Sequence, residues 1–400
     1  MKWQRFYSIV MSVGLAIALL VSLSARHSVQ AQLESAQLDP LPSLQRQPAS
    51  HHGQSELRGV WLTNIDSRVL FSQQELNHGI QRLAELNFNT IYPSVWNWGY
   101  TLYPSTAMRQ AIGSSIDPHP ALQGRDILDE AIAEGHRLGL SVIPWFEFGL
   151  LSPSYSELAR QHPDWITARQ DGSTVVMQGR HPRRWLNPFK PEVQDLLVDI
   201  IREVVTRYDI DGIQLDDHFG MPVELGYDDY TVAQYRATHD GDDPPTDHQD
   251  PEWMEWRADQ ITALMGRIVQ TVKSIKPDCI VSLSPNPHPF AYEYFLQDWA
   301  TWIDNDWFDE LIIQVYRNGL ESFENVLEQS DVADMKDKLP VGIGILTGLK
   351  NRPTDFELIQ AQVNATRDRQ FSGVSFFFYE SLGDRDEQFQ TLFPESAQRP

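Results

Sequence analysis

From Leu57 onward, short apolar runs alternate with segments whose apolar residues recur at helical spacing. Eight runs read as strands: 57–65, 90–95, 141–146, 212–215, 280–283, 311–316, 341–345 and 374–379. Most are continuously apolar rather than alternating, the pattern of a parallel strand buried on both faces. Between them, Val193, Leu196, Leu197, Ile200, Ile201, Val204 and Val205 form an apolar helical stripe, and Ile261, Leu264, Met265, Ile268, Val269, Val272 and Ile275 repeat it. Ser72 with Glu75, and Thr354 with Glu357, have the capping-box spacing and predict two further helix starts. Pro191 sits at one helix's start and Pro277 beyond another's end, where proline is tolerated. Eight strands alternating with helices predict an α/β fold, a (β/α)8 barrel. A doubly wound sheet is the alternative, but no glycine-rich dinucleotide loop follows the first strand.

The units are unevenly spaced. The last ones recur at close to the ~30 residues that a βαβ step needs. The segments after strands two, three and four (98–124, 149–190 and 217–255) are much longer. Loops leaving strand C-termini form the catalytic face of a barrel, so these three predict a wall or cleft on one side of it. They lack core patterning of their own and do not read as a second domain.

At the amino terminus Lys2 and Arg5 precede an apolar run, 6–23, with Ser22, Ser24 and Ala25 around its end. Positive, then apolar, then small residues describe a secretory signal. At about 18 residues the run is also long enough for an uncleaved anchor. Ala25, Ala31 and Ala36 all suit cleavage, and the polar stretch 26–55 reads as a flexible tether. The expected organisation is a signal peptide or anchor over 1–36, a linker over 37–55, the barrel over 56–393 and a tail over 394–400. The protein is expected to be exported, to the periplasm or outside the cell, touching membrane only through residues 6–23 if they are retained.

Acidic residues number 55 and basic ones 32, a net charge of −23. Such a chain repels phosphate backbones, so nucleic acid is not an expected partner. The single cysteine, Cys279, excludes an intramolecular disulfide, a cysteine-based zinc cluster and an iron–sulfur centre. It directly precedes an apolar strand and is expected to be a buried structural residue. No metal or cofactor is expected, and oligomeric state is left open. Twelve tryptophans and thirteen tyrosines suit either a large aromatic core or a groove that stacks on sugar rings.

Chemistry in a barrel sits at strand C-termini. Here those positions hold Trp61, Thr63, Asn64 and Asp66; Tyr92, Ser94, Trp96, Asn97 and Trp98; Trp145 and Glu147; Asp216, Asp217 and His218; Ser284, Asn286 and His288; Gln314, Tyr316 and Arg317; Thr347; and Tyr379 and Glu380. This mouth of carboxylates, amides and indoles has few cations. Glycoside cleavage needs two carboxyl groups flanking the scissile bond, which this inventory offers. In Asp211-Gly212-Ile213-Gln214-Leu215-Asp216-Asp217, Gln214 and Asp216 share one side by the two-residue period. A polar pair on the inner face of an apolar strand is costly unless bonded or used. A structural turn, or a calcium site of Asp216 and Asp217 with Asp228 and Asp229, is the competing reading.

Leu57-Arg58-Gly59-Val60-Trp61-Leu62-Thr63, Asn89-Thr90-Ile91-Tyr92-Pro93, Leu102-Tyr103-Pro104-Ser105, Trp145-Phe146-Glu147, Trp185-Leu186-Asn187-Pro188, Arg207-Tyr208-Asp209, Asp216-Asp217-His218-Phe219, Ser284-Pro285 and Gln314-Val315-Tyr316 together resemble the glycosyl-hydrolase-like family 10 domain of bacterial exported proteins. The resemblance covers about Glu56 to Phe393. It implies a (β/α)8 barrel that hydrolyses glycosidic bonds, and a branch of the family cleaves peptidoglycan glycan strands stripped of their peptides. The fourth-strand pattern is also similar to that of α-amylase-like barrels, but Gln214 stands where theirs has arginine.

The expectation is an exported glycoside hydrolase of the cell envelope acting on a polysaccharide. Asp216 is the expected nucleophile or base. Glu147 is the first choice for the acid, then Asp217, then Glu380. Trp61, Trp96, Trp145 and Tyr316 are the stacking candidates, Tyr92 faces substrate beside them, and Asn187, His218, Asn286 and Gln314 are the hydrogen-bonding ones. An α-glucan or exopolysaccharide hydrolase and a non-catalytic glycan-binding barrel are the alternatives.

Overall fold

The computed structural model describes residues 55–349 and 352–400. The expected signal or anchor and the linker, up to residue 54, lie outside the described residues. No helix among the described residues is long and apolar enough to cross a membrane.

The main sheet is parallel throughout. Its strands are β1 (Leu57–Leu62), β2 (Thr90–Pro93), β3 (in two segments, Ser141–Val142 and Trp145–Phe146), β4 (Gly212–Asp216), β5 (Ile280–Ser284), β6 (Glu310–Gln314), β7 (Val341–Leu346) and β8 (Gly373–Phe377). β1 pairs with both β2 and β8, and the ladder runs β8-β7-β6-β5-β4. The two segments of β3 stand at the two ends of this order: the first pairs with β2, the second with β4. Pro144 between them has no N–H to give a ladder, yet its carbonyl accepts from Gln214 N at 2.8 Å while Ile143 N donates to Ile91 O at 3.0 Å. One interrupted strand thus joins both edges, and the eight-stranded barrel predicted from the apolar runs closes.

Helices cover the outside. The stripe 193–205 lies on helix Pro191–Arg207 with those residues buried, and the second stripe on helix Pro251–Ile275. Each buried aliphatic side chain contributes roughly 1.5–3 kcal/mol. Ser72 caps helix Gln73–Glu85 as expected, its hydroxyl accepting from Glu75 N at 3.3 Å. The second capping expectation fails. Asp355, not Thr354, is the cap residue of helix Phe356–Asp368, because the Thr354 hydroxyl is taken by Leu346 O at 3.0 Å. Cys279 is buried as a free thiol, and burial pushes it up to about 11.

The barrel interior is filled by large rings opposite small residues. Trp61, Tyr92, Ile143, Trp145, Leu57 and Ile312 pack together there. A Cβ on Gly344 would lie 3.3 Å from the Trp61 ring, and one on Gly59 would lie 2.7 Å from that of Tyr92, so the rings occupy the space those glycines leave. The three long loops stand together on the C-terminal face. The first carries a hairpin of Trp96–Asn97 with Tyr100–Thr101; the second carries an antiparallel sheet of Leu151–Pro153, Val176–Gln178 and His181–Trp185. The third is pinned from below by buried Arg257, which donates to Leu225 O and His248 O, each at 2.6 Å. At the opposite face, residues 394–400 run under the barrel: Gln398 O accepts from Glu56 N at 3.0 Å, and Arg399 pairs with Glu310 inside.

Candidate active site

The ladder sets the site. Gln214 pairs with Trp145 and Leu215 with Phe146, so Asp216 and Glu147 are the next residues in register on neighbouring strands. The two-residue period turns Gln214, Trp145, Asp216 and Glu147 inward. Gln214 is fully buried in a chain of bonds: Trp61 Nε1 donates to its Oε1 at 2.7 Å, and its Nε2 donates to Ser282 Oγ at 2.9 Å. Both polar atoms of the residue beneath Asp216 are therefore bonded, and Asp216 stands above it at the mouth, 2% exposed.

Asp216 Oδ1 accepts from Gln314 Nε2 at 2.9 Å, and its Oδ2 lies 3.2 Å from His218 Nδ1. The same nitrogen is 3.0 Å from the Glu147 carbonyl and 3.2 Å from Asp217 Oδ1. A carbonyl only accepts, so Nδ1 carries a proton and donates into this group of oxygens. Asn286 Nδ2 donates to Asp217 Oδ2 at 2.7 Å. Glu147 accepts from Asn97 Nδ2 at 2.6 Å and from Thr63 Oγ1 at 3.0 Å. The turn after β3 is tight because Leu150 N donates to His218 O at 2.9 Å, and Gly149 leaves no room there for a Cβ.

Electrostatics separates the groups. Burial lifts the Glu147 carboxyl to about 7, against the hydrogen bonds from Thr63 and Asn97 and the charge of His218. Burial opposes charge on His218, but Asp217 and then Asp216 outweigh it and raise the imidazole to about 9. Burial and the neighbouring Asp217 push Asp216 above the usual carboxylate range, while His218 pulls it back. Asp216 is the carboxyl bonded to a cationic donor, whereas Glu147 has neutral donors. The charge-assisted bond from His218 favours the anion on Asp216, and the neutral donors on Glu147 give its anion less support.

Of the expected site residues, the structure brings together Asp216, Glu147, Asp217, His218, Asn286 and Gln314. Half-buried Tyr316 joins them: its hydroxyl is raised well above its usual range by burial first, then by Asp216, Asp217 and Glu147. The others fall elsewhere. Trp61 and Tyr92 are enclosed in the barrel, Tyr92 bonded to Glu310 at 3.0 Å, so neither offers a face to sugar. Trp96 is fully buried with its N–H on Gly149 O at 2.8 Å. Trp145 packs between Trp61 and Phe377 and is nearly closed off. Asn187 is a structural tie, donating to Asp228 Oδ1 and Thr231 Oγ1, both at 2.9 Å. Asp228 caps helix Asp229–Thr238, which takes it away from Asp216 and removes the calcium reading that grouped them. Glu380 accepts from Arg68 N at 2.6 Å and Val69 N at 3.0 Å and clamps the loop after β1 instead of serving Asp216. It lines a separate cavity of about 520 Å³ with Asp66, Phe378 and Arg385.

Several residues at the site had no role assigned to them from the sequence. Thr63 and Asn97 hold Glu147, and both stood in the strand-end inventory. The accessible rings on the loops of this face are Trp98 (37% exposed) and Tyr155 (62% exposed), with Phe290 and Tyr294 on helix His288–Phe295. Arg183 lies over the Phe148 ring, 5.2 Å from its centroid, and Phe148 in turn neighbours His218.

The Asp216–Asp217–His218 group also has donor atoms close enough for a cation. The proton on His218 Nδ1 already faces both carboxylates, which fits an internal ion pair better than a ligand set.

The fold recurs in solved glycoside hydrolases. It matches the PgaB (BpsB) glycoside hydrolase domain from Bordetella bronchiseptica with a TM-score of 0.61 at 12% identity, over 85% of this chain and 98% of that one. It matches α-L-fucosidase isoenzyme 2 from Paenibacillus thiaminolyticus with a TM-score of 0.59 at 15% identity, over 84% of this chain and 48% of that one. In sequence, glycosyl hydrolase DigH of Escherichia coli strain K12 is 26% identical over 327 residues, 69% of each chain. Glycosyl hydrolase YngK of Bacillus subtilis is 28% identical over 258 residues, 59% of this chain and 46% of its own. The profile of the family described as "Glycosyl hydrolase-like 10" matches residues 56–364, from the start of β1 into the last helix before β8. The barrel, its mouth of carboxylates and this match agree: the chain belongs to the glycosyl hydrolase-like 10 family and is a glycoside hydrolase.

Proposed function

We propose that this glycoside hydrolase is exported and cleaves a cell-envelope polysaccharide, namely peptidoglycan glycan strands stripped of their peptides. The observation that carries the chemistry is the pair of buried carboxyls, Asp216 and Glu147, in register on adjacent strand ends. Neighbouring strands lie ~4.8 Å apart, which suits the roughly 5–9 Å separations used by two-carboxylate hydrolases. Glu147, lifted to about 7, protonates the leaving glycosidic oxygen. Asp216, held as an anion by Gln314 and His218, attacks the anomeric carbon or activates the water that does so. Tyr316, Asn286 and Asp217 line the approach. The choice of substrate rests on the resemblance of the strand-end motifs to a family with a peptidoglycan-cleaving branch, and on the apolar segment 6–23, which supports export.

The test is incubation of the purified protein with peptide-free glycan strands, and with a panel of α- and β-glucans and exopolysaccharides, followed by product masses. Shortened strands with intact sugars are expected from the first. Cleavage of a glucan with untouched glycan strands would replace this substrate with that one.

A further inference from the structure

We infer that Arg183 forms a subsite for a carboxylate carried by the sugar next to the scissile bond, which makes the enzyme selective for an acidic glycan. This rests on the glycan reading above and narrows it. Arg183 is only 9% exposed, and its Nε is shielded from solvent without a hydrogen-bond partner. Among the described residues it forms no ion pair. Other deeply placed arginines have partners at the guanidinium: Arg58 and Arg367 pair with Glu56, Arg399 with Glu310 although its Nε too lacks a partner, and Arg257 donates to four carbonyls. A guanidinium nitrogen shut off from solvent without an acceptor is costly, and such sites persist where a ligand completes them.

Its position points to the substrate. Arg183 sits on the inner strand of the small sheet after β3, opposite Pro153 and Val176. Burial pushes its guanidinium down while Tyr155 and the Glu147 carboxyl at the mouth oppose that, and it rests on the Phe148 ring beside His218. On the next strand of the same sheet, Gln178 reaches to 3.4 Å from His218 Nε2. The arm therefore overhangs the carboxylates. Residues 165–185 hold four arginines and one aspartate within a chain of net charge −23, and Arg169 is already bound by Glu224. A planar guanidinium stacked on a ring and lacking an acceptor matches a carboxylate in two-point recognition. Peptide-free glycan strands carry one such group, the lactyl carboxylate of each muramic acid residue.

The experiment uses two probes: a tetrasaccharide of alternating N-acetylglucosamine and N-acetylmuramic acid, and the same compound with its carboxyls reduced to alcohols. Cleavage is followed by product masses, and affinity by calorimetry on Asp216→Asn protein, with and without Arg183→Gln. The acidic probe is expected to be favoured by roughly tenfold to a hundredfold in kcat/KM and affinity. Arg183→Gln should erase that preference by weakening the acidic probe alone, and Arg183→Lys should restore part of it. The pH profile on the neutral probe should stay in place, whereas a residue that only balanced Glu147 would move it. Equal handling of the two probes by the wild-type protein, equal losses on both in Arg183→Gln, or binding of neither overturns the subsite. If neither probe is cleaved but the acidic one binds more tightly through Arg183, the subsite stands and the proposed substrate falls.

Discussion

The two ends of this barrel both bury carboxylates, and they treat them in opposite ways. At the floor, Glu310 is paired with Arg399 and accepts from Tyr92 and Ser282. Beside it, Glu56 lies between Arg58 and Arg367. Burial alone would raise Glu56, but hydrogen bonds from Arg367 and Arg58 outweigh it and hold the group below its usual range. At the mouth, Glu147 meets a hydroxyl and an amide, and burial wins. Asp216 has an amide and an imidazole. A guanidinium fixes a charge for the fold, whereas neutral donors and histidine leave a proton free to move. Partner chemistry therefore separates the guanidinium-paired carboxylates of the floor from the proposed catalytic pair of the mouth, where burial does not.

The largest effect should come from the mouth. Asp216→Asn keeps the size and most hydrogen bonds of the side chain but removes the charge that supports an oxocarbenium-like centre. Turnover should fall by roughly a thousandfold or more, about 4 kcal/mol, with glycan binding retained and melting temperature unchanged or higher. Asp217→Asn should cost less, through disturbance of His218. Near wild-type turnover in Asp216→Asn would dissolve the contrast between the ends; a folded, dead Asp217→Asn beside an unfolded Asp216→Asn would exchange the two roles. At the floor the signs reverse. Arg399→Ala leaves Glu310 buried and unpaired and should cost ~3 kcal/mol of stability in denaturant titrations. The fraction that remains folded should turn over at the wild-type rate. A Glu147→Gln variant should lose roughly a hundredfold in turnover and, in particular, the fall in activity as pH rises through about 7. A pH–rate profile that keeps that limb assigns the acid to another group.

Much of this could be read in the sequence, because burial on both faces makes parallel strands continuously apolar and helices striped. Gln214 and Asp216 stood out as polar positions in such a run, and their side of the strand followed from the period of two. Neighbouring strand ends then led to Glu147. What the pattern could not show was direction in the third dimension. Trp61 and Tyr92 sit near strand ends as a sugar platform would, yet glycines on nearby strands let their rings fold inward and become the barrel's filling. Asn187 and Glu380 carry the right chemistry, but backbone groups and a helix start consume it. Arg183 was missed because it lies in a loop with no core periodicity. The arginine-rich stretch in a strongly acidic chain was the available signal. Thr354 shows the limit of motif spacing: a carbonyl within reach took its hydroxyl, and the cap moved to Asp355.

The finest test of the contrast is the pH dependence of stability, where Glu147 and Glu56 should act with opposite signs. The folded state lifts Glu147 from its ordinary 4.5 to about 7, so it binds more protons than the unfolded chain between those values. Wild-type stability therefore falls across that window through this group. Glu147→Gln should gain on the wild type as pH rises from 4.5 to 7 and hold the gain above it, by up to ~3 kcal/mol. Glu56 is depressed in the folded state, so its charge stabilises above the unfolded value and that contribution is lost as pH falls through the folded one. Glu56→Gln should therefore be less stable than the wild type at neutral pH, by ~1–2 kcal/mol, and the gap should close in acid. Urea titrations of the three proteins between pH 4 and 8 measure both trends. If the two differences run in the same direction, guanidinium pairing is not what separates the floor from the mouth, and the proton on Glu147 needs another cause.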